Sequence, residues 1–239
     1  MKKTGDEQNI PRPFNPLVEK IFEAFFIPLR KLLIQDLKFI NLPDSLPENR
    51  PVLLVGNHMS NWDGFLFWEI QKKIKPTWPI YSVMLEKELK QHPIIRWLGG
   101  VGIDANSPSS IGHALRKIKG LRKTKTDFFL SYFPQGKIYP SFKRPLEFQG
   151  GIDLFIRAMA PLTIIPVGLH LEPMRSLKPT IFISLGRPMK IDKPSTVYRV
   201  LEDLVQAELD KIQTHLSREG ESYSTLSSGI KVSTLHSRS

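Results

Sequence analysis

Cysteine is absent from the 239-residue sequence. Its absence excludes a disulfide framework, thiolate zinc sites, iron–sulfur clusters and a cysteine nucleophile. The sequence also lacks a His-Glu-x-x-His motif, the helical pair of histidines that is typical of zinc peptidases. We therefore expect neither a metal ion nor a cofactor.

Long apolar runs are also missing. The longest stretch without a charged residue covers 14 residues, from Ala158 to Leu171, and contains Pro161 and Pro166. A helix that spans a bilayer needs about 20 apolar residues, and the first seven residues lack the apolar core of a signal peptide. Because 41% of the residues are hydrophobic, the chain can still build a sizeable core. We expect an intracellular globular protein.

Acidic side chains are scarce in one region. The chain carries a formal net charge of +11, and residues 70–145 contain 15 Lys and Arg against four Asp and Glu, so this region holds the whole excess. A regional excess indicates an anionic partner, such as nucleic acid, a phosphorylated substrate, an acidic protein or a lipid surface, or else a solvated basic face. No zinc-finger spacing, arginine-rich arm or aromatic RNA-binding signature accompanies the charge. We therefore expect no nucleic-acid partner.

Short apolar runs alternate with amphipathic stretches along the body of the chain. The runs predict strands at residues 51–56, 80–84, 101–104, 127–133, 162–168 and 180–185. The stretches predict helices at residues 62–73, 85–97, 108–122, 148–159 and 195–216. This alternation indicates an α/β fold with a central mixed, largely parallel sheet flanked by helices.

The two ends of the chain differ from this body. Residues 1–13 are polar, which predicts a disordered tail at the N-terminal end. Residues 217–239 are rich in serine, which predicts a flexible tail at the C-terminal end. Residues 14–45 have apolar positions at three- and four-residue steps, which predicts an amphipathic helical segment, kinked or split near Pro28. Residues 46–216 form the main domain. The polar face of the segment carries Glu19, Lys20, Glu23, Arg30, Lys31 and Lys38.

The segment with the clearest chemistry is residues 56–64, Gly-Asn-His-Met-Ser-Asn-Trp-Asp-Gly. It follows a predicted strand and precedes a predicted helix, and in an α/β sheet such a junction lies at the carboxyl edge, where active sites form. His58 and Asp63 are close enough across this turn for the carboxylate to hold one imidazole nitrogen and leave the other to take a proton. A structural His–Asp pair is the alternative.

Other segments are less specific on their own. Residues 133–137, Phe-Pro-Gln-Gly-Lys, follow a predicted strand, where a glycine lets backbone N–H groups approach a ligand and Lys137 would face an anion. An ordinary turn is the alternative. The absence of a Gly-x-Ser-x-Gly elbow argues against a serine hydrolase. The remaining histidines have no evident partner nearby and are interpreted as structural or exposed: His92, His113, His170, His215 and His236.

Taken together, four blocks resemble the glycerolipid acyltransferases of the lysophosphatidate acyltransferase (PlsC-like) family. Residues 57–63 match the family's His-x4-Asp motif, including the preceding Asn57. Residues 100–104, Gly-Val-Gly-Ile-Asp, resemble its Gly-x-x-x-Ile-Asp block, and residues 133–136 resemble its Phe-Pro-Glu-Gly block. Residues 165–167, Ile-Pro-Val, are the fourth. The resemblance covers residues 53–185, over half of the chain.

The resemblance implies an O-acyltransferase. His58 would be the general base that takes a proton from a lipid hydroxyl, and Asp63 would orient and stabilise the imidazole. The hydroxyl oxygen would attack the thioester of acyl-CoA or acyl-carrier protein directly, with a lysophospholipid such as 1-acylglycerol 3-phosphate as acceptor. Residues in or beside the blocks would bind substrate: Asn57, Asn106, Gln135, Gly136, Lys137, Lys143 and Arg144.

Two departures from the family pattern concern the acceptor. Ala105, followed by Asn106, stands where the family has an arginine, and Lys137-Ile138 stands where it has Thr-Arg. Both arginines credited with gripping a phosphate are missing, and a lysine does not replace a bidentate arginine. Either Lys137, Lys143 or Arg144 compensates, or the acceptor lacks the phosphate, as in a glycolipid, a glycosylated isoprenoid or an amino-lipid. An inactive lipid-binding or regulatory relative and a thioesterase are further alternatives.

The N-terminal segment fits this interpretation. A lipid-modifying enzyme without a spanning helix must reach its substrate at the bilayer surface, and an amphipathic helix in the interface provides this contact. A helix packed on the sheet is the alternative. We expect a peripheral or monotopic protein at the cytoplasmic face of the membrane.

Overall fold

The computed structural model describes residues 15–43, 46, 49–174, 176–193 and 196–219. The expectations for residues 1–13 and 220–239 lie outside these ranges. The helices are α1 (Pro16–Leu33), α2 (Asp63–Ile74), α3 (Glu86–Gln91), α4 (Ile94–Trp97), α5 (Pro108–Thr124), α6 (Ile152–Met159) and α7 (Tyr198–Glu219). The strands are β1 (Asp36–Asn41), β2 (Val52–Gly56), β3 (Ile80–Leu85), β4 (Gly100–Ile103), β5 (Phe129–Tyr132), β6 (Leu162–Glu172), β7 (Thr180–Leu185) and β8 (Met189–Ile191).

The strands form one eight-stranded sheet in the order β1-β7-β6-β2-β5-β3-β4, with β8 paired to β6. Five neighbouring strands are parallel to one another: β6, β2, β5, β3 and β4. β7 and β8 run antiparallel to β6. This arrangement confirms the predicted mixed, largely parallel sheet. Because β2 and β5 are parallel neighbours, the loops that leave their carboxyl ends start side by side.

Helices cover both faces of this sheet. In β2, Leu53 and Val55 face the core that includes α5, α6 and α7, and Val52 and Leu54 face the core that includes α1 and α2. Every residue of β2 is buried. The continuous apolar run of this strand is therefore explained by burial on both faces, as is usual for parallel sheets.

The N-terminal segment is helical over only part of its length. α1 is a single helix through Pro28 and ends at Leu33, and residues 36–41 form β1, so the prediction of a helical segment that extends to residue 45 is wrong here. β1 pairs in parallel with β7. Leu37 and Phe39 pack on one face of the sheet and Ile40 on the other, because successive strand residues point to opposite faces.

Smaller differences have local causes. The predicted helix at 85–97 is two short helices, α3 and α4, because Pro93 between them has no N–H to continue the first. β6 continues four residues beyond the predicted strand, and the three-residue β8 was not predicted. α7 extends to Glu219, so residues 217–219 are helical rather than part of the flexible tail.

Candidate active site

Asn57 marks the point where the chain leaves β2. Its buried side chain continues the strand ladder: Nδ2 donates to the carbonyl oxygen of Leu169 at 2.9 Å, and Oδ1 accepts the N–H of Leu169 at 2.8 Å. The preceding Gly56 has no room for a Cβ, which would lie 2.7 Å from the ring of Phe67. Asn57, expected to bind substrate, is thus engaged within the protein and positions the next residue, His58, at the carboxyl edge of the sheet.

His58 and Asp63 form a direct pair. Asp63 Oδ2 lies 2.8 Å from His58 Nδ1 and also accepts the backbone N–H groups of Met59 at 2.6 Å and Ser60 at 3.0 Å. Ser60 Oγ donates to Oδ1 at 2.6 Å. Asp63 is fully buried and is the first residue of α2, where the helix dipole favours its negative charge. A carboxylate in this network directs the Nδ1 proton toward itself and leaves Nε2 to accept a proton.

The loop after β5 holds the backbone of His58 from the other side. The N–H of His58 donates to Gln135 Oε1 at 2.7 Å, and the carbonyl oxygen of His58 accepts the N–H of Tyr139 at 2.8 Å. Gln135 is buried, and Gly136 has a φ of 66°, a left-handed conformation that favours glycine. Gln135 therefore supports His58 rather than projecting toward solvent, and its amide oxygen is an acceptor just as a glutamate oxygen would be.

Phe133 covers one face of the imidazole. The two rings are stacked with centroids 4.8 Å apart, and Phe133 in turn packs against Phe67 of α2 at 4.6 Å. The His58 side chain keeps 24% of its surface exposed. This packing fixes the plane of the ring while one side stays accessible to a substrate.

Two of the three charged residues expected to bind substrate form ion pairs within the protein. Lys143 pairs with Glu147 at 2.9 Å, and Arg144 pairs with Asp210 at 3.5 Å. Lys137 is exposed on the loop that holds His58, and Asn106 is exposed after β4, where its N–H donates to Asp104 Oδ1 at 3.0 Å. The fold therefore brings Asn57, Gln135 and Gly136 to the His58 loop, and the cations Lys143 and Arg144 into ion pairs.

The second block lies against α3. A Cβ on Gly102 would lie 1.9 Å from a carboxylate oxygen of Glu86, which explains the glycine. Glu86 forms an ion pair with Arg96, a residue that the sequence patterns did not single out. Across the described ranges, no group of three or more His, Asp or Glu side chains could hold a metal ion.

Sequence reasoning missed one polar cluster. His170, interpreted as lacking a partner, accepts or donates a hydrogen bond with Ser141 Oγ at Nδ1 (2.9 Å), and its Nε2 lies 3.2 Å from Glu172 Oε2. His170 and Glu172 are two residues apart on β6 and so share a face, but the predicted strand ended at residue 168 and did not include them. Ser141 is far away in sequence, and only the fold shows that it is a partner.

Comparison with known families defines the class of protein. A family model described as Acyltransferase matches residues 39–170, more than half of the chain, and the matched range includes all four motif blocks. The chain belongs to this acyltransferase family, which confirms the resemblance and the expectation of an O-acyltransferase. No curated protein sequence gives a significant match.

Among solved structures, the chain is similar to the 1-acyl-sn-glycerophosphate (LPA) acyltransferase PlsC from Thermotoga maritima. The two share 16% sequence identity with a TM-score of 0.59, over 82% of this chain and 80% of that one. At this identity the likeness concerns the fold. It confirms the predicted α/β class with helices on both sides of the sheet.

Proposed function

We propose that this protein transfers a fatty acyl group from an acyl thioester to a hydroxyl of a lysophospholipid-like acceptor, with His58 as the general base. The observation that carries the proposal is the fully buried carboxylate of Asp63, 2.8 Å from His58 Nδ1. It orients the ring and stabilises the imidazolium, so that Nε2 is available to a substrate hydroxyl. The partly exposed ring at the carboxyl edge of the sheet is where such a substrate would enter.

The proposed reaction needs no covalent enzyme intermediate. The acceptor oxygen attacks the thioester carbonyl as His58 Nε2 takes its proton, which forms a tetrahedral intermediate. The carbon–sulfur bond then breaks, and the imidazolium returns the proton to the departing thiolate. General-base assistance of this kind is worth about 10²–10⁴-fold in rate.

Substitution of His58 tests this proposal. We expect His58→Ala to lose at least about 10²-fold in acyl transfer from a radiolabelled acyl thioester to a lysolipid, with an unchanged thermal unfolding midpoint. His92→Ala, an exposed histidine at the end of α3, is the matched control and should retain full activity. Retained transfer by a folded His58→Ala protein would contradict the proposal. Release of free fatty acid instead of acylated lipid would favour a thioesterase.

The donor and the acceptor head group are less constrained. Acyl-CoA and acyl-carrier protein both carry the negative charge that the basic excess of residues 70–145 would attract. A phosphorylated lysophospholipid is the family's usual acceptor. The absence of both phosphate-binding arginines, at Ala105 and at Lys137-Ile138, favours a second candidate, an acceptor without a phosphate.

The surface of α1 supports association with a membrane. Four apolar side chains at helical spacing, Leu17, Ile21, Phe25 and Leu32, face outward and are between 60% and 71% exposed. Exposed apolar patches of this kind mark interaction surfaces. Within the described residues, no helix is both long and apolar enough to cross a bilayer. We propose that α1 lies in the interface of the cytoplasmic leaflet.

Three charged side chains of α1 form ion pairs with α2. Lys72 of α2 binds both Glu19 at 2.9 Å and Glu23 at 3.3 Å, and Arg30 binds Glu69 at 2.9 Å. Burial raises the pKa of Glu69, although Arg30 opposes this shift. Together with the buried Phe26, these ion pairs face α2, whereas the apolar row and the side chains of Lys20 and Lys31 are exposed. An apolar medium on the outer side would account for the exposed apolar row, with Lys20 and Lys31 directed to the polar part of the interface.

A further inference from the structure

The turn that carries Asp63 packs directly against α1. Trp62 precedes Asp63 and is the N-cap residue of α2, and its ring centroid lies 5.9 Å from that of Phe26 of α1. The ring of Phe26 also lies 4.8 Å from the ring of Phe65 in the first turn of α2, and only 3% of Phe26 is exposed. One side chain of α1 therefore contacts the chain on both sides of Asp63.

Hydrogen bonds connect Trp62 to the carboxylate of Asp63. The N–H of Trp62 donates to Ser60 Oγ at 3.1 Å, and the Ser60 hydroxyl donates to Asp63 Oδ1 at 2.6 Å. A hydroxyl can accept one hydrogen bond while it donates another, so both contacts hold at once. Asp63 Oδ2 in turn lies 2.8 Å from His58 Nδ1. A continuous series of contacts thus joins α1 to the imidazole: Phe26, Trp62, Ser60, Asp63 and His58.

The start of α2 has no side-chain cap of its own. Helix starts are commonly held by a side chain that accepts the free N–H groups of the first turn. Trp62 occupies the N-cap position without such a hydrogen bond. The carboxylate of Asp63 is turned back to the N–H groups of Met59 and Ser60, which precede the helix. The packing of the Trp62 ring against Phe26 therefore supports the helix start that a cap would otherwise hold.

α1 offers a fixed support for this contact. Its ion pairs with α2 lie on both sides of Phe26 in sequence, at Glu19 and at Arg30. We propose that α1 positions the His58–Asp63 pair through the contact between Phe26 and Trp62, which makes Phe26 and Trp62 positioning residues for the general base. The inference rests on the proposed acyl transfer, and it gives α1 a role in catalysis besides the contact with the membrane.

Loss of the Phe26 ring tests the inference in two ways. In proton NMR, the Nδ1 proton that His58 shares with a carboxylate gives a signal downfield of the backbone amides, and His58→Ala identifies this signal by its loss. We expect Phe26→Leu to weaken the signal several-fold, because a looser pair exchanges the proton with water faster. In transfer from a short-chain acyl-CoA to a short-chain lysophospholipid, both below their micelle-forming concentrations, kcat should fall about tenfold at unchanged KM. A displacement of about 1 Å can cost up to about 10²-fold.

Two comparisons separate positioning from a general loss of stability. Phe155→Leu removes a ring that is 1% exposed, from α6 on the opposite face of the sheet, and should keep both the signal and kcat. Trp62→Phe keeps an aromatic ring toward Phe26 and should retain most of the kcat that Trp62→Leu loses. If Phe26→Leu does not fold, the two Trp62 variants decide, and equal kcat values in them would overturn the inference.

Retention of either the signal or kcat by a folded Phe26→Leu protein would also overturn the inference, as would equal losses in Phe155→Leu. Transfer that depends on His58 but not on Phe26 would leave the proposed function intact. A signal that depends on Phe26, in a protein without any transfer activity, would contradict the proposed function and support the positioning of the pair by α1.

Discussion

The two carboxylate oxygens of Asp63 have different partners. The charge of Asp63 can therefore be removed by substitution without loss of its hydrogen-bond geometry. Oδ2 accepts hydrogen bonds from backbone N–H groups and from His58, whereas Oδ1 meets only the hydroxyl of Ser60 among the described contacts. An asparagine can place its oxygen at Oδ2 and its amide nitrogen toward Ser60, whose hydroxyl can accept. The substitution therefore keeps the geometry and removes the charge.

We expect Asp63→Asn to lower kcat by about 10³–10⁴-fold, because a neutral amide does not stabilise the imidazolium. The thermal unfolding midpoint should change little. Steady-state kinetics together with calorimetric unfolding provide the measurement. Asp127→Asn, which lies before β5 at the opposite edge of the sheet, is the control. An unchanged kcat in the Asp63→Asn protein would show that the pair is structural.

At the scale of elements, α1 and β1 show where periodicity is a good guide. Over the 18 residues of α1, the apolar spacing identifies a helix correctly. The six residues of β1 are too few to separate a period of 3.6 from a period of 2, and Leu37 and Phe39 are placed by pairing with β7. Sequence also did not show which side of α1 faces outward, because that side is set by the ion pairs of Glu19, Glu23 and Arg30 with α2.

Charges placed on the outer row of α1 should weaken membrane binding. We expect Ile21→Glu/Phe25→Glu to reduce co-sedimentation with anionic vesicles several-fold, because a buried carboxylate opposes insertion in the interface. Val200→Glu, at an apolar residue 51% exposed on α7, is the matched control and should bind as the wild type does. Equal co-sedimentation of the α1 variant and the wild type, both folded by circular dichroism, would argue against an interfacial helix.

At the scale of the whole molecule, the fold places the basic surface of α5 and the apolar surface of α1 on opposite faces of the sheet, which the sequence did not show. α5 carries Arg116, Lys117, Lys119, Arg122 and Lys123 without an acidic residue. It packs on the face of the sheet opposite to α1, because Ala114, Ile118 and Leu121 belong to one core and Phe26 to the other. One flat bilayer does not contact the outer sides of both helices. If α1 lies in the membrane as proposed, we propose that the basic excess on α5 attracts the acyl donor rather than the membrane.

Neutralisation of the exposed lysines of α5 tests this division. We expect Lys119→Gln/Lys123→Gln to raise the KM for the acyl donor several-fold at low salt, with kcat and vesicle binding unchanged. The difference should shrink at high ionic strength, because salt screens exposed charges. Lys190→Gln/Lys193→Gln makes the same change in charge around β8 and should have no effect. Weakened vesicle binding in the α5 variant would instead assign this surface to the membrane.

The sequence by itself determined the alternation of strands and helices, the His58–Asp63 pair and the acyltransferase class. The first two depend on residues that are close in sequence, where apolar runs and turn spacing report local conformation directly, and the class follows from the resemblance of four short blocks to the family. Tertiary structure decided the rest: Gln135 supports His58 from 77 residues away, Ser141 meets His170, and Glu19 of α1 pairs with Lys72 of α2. Such contacts join segments that are far apart in sequence and meet only after folding. The local spacing of apolar residues therefore does not predict them.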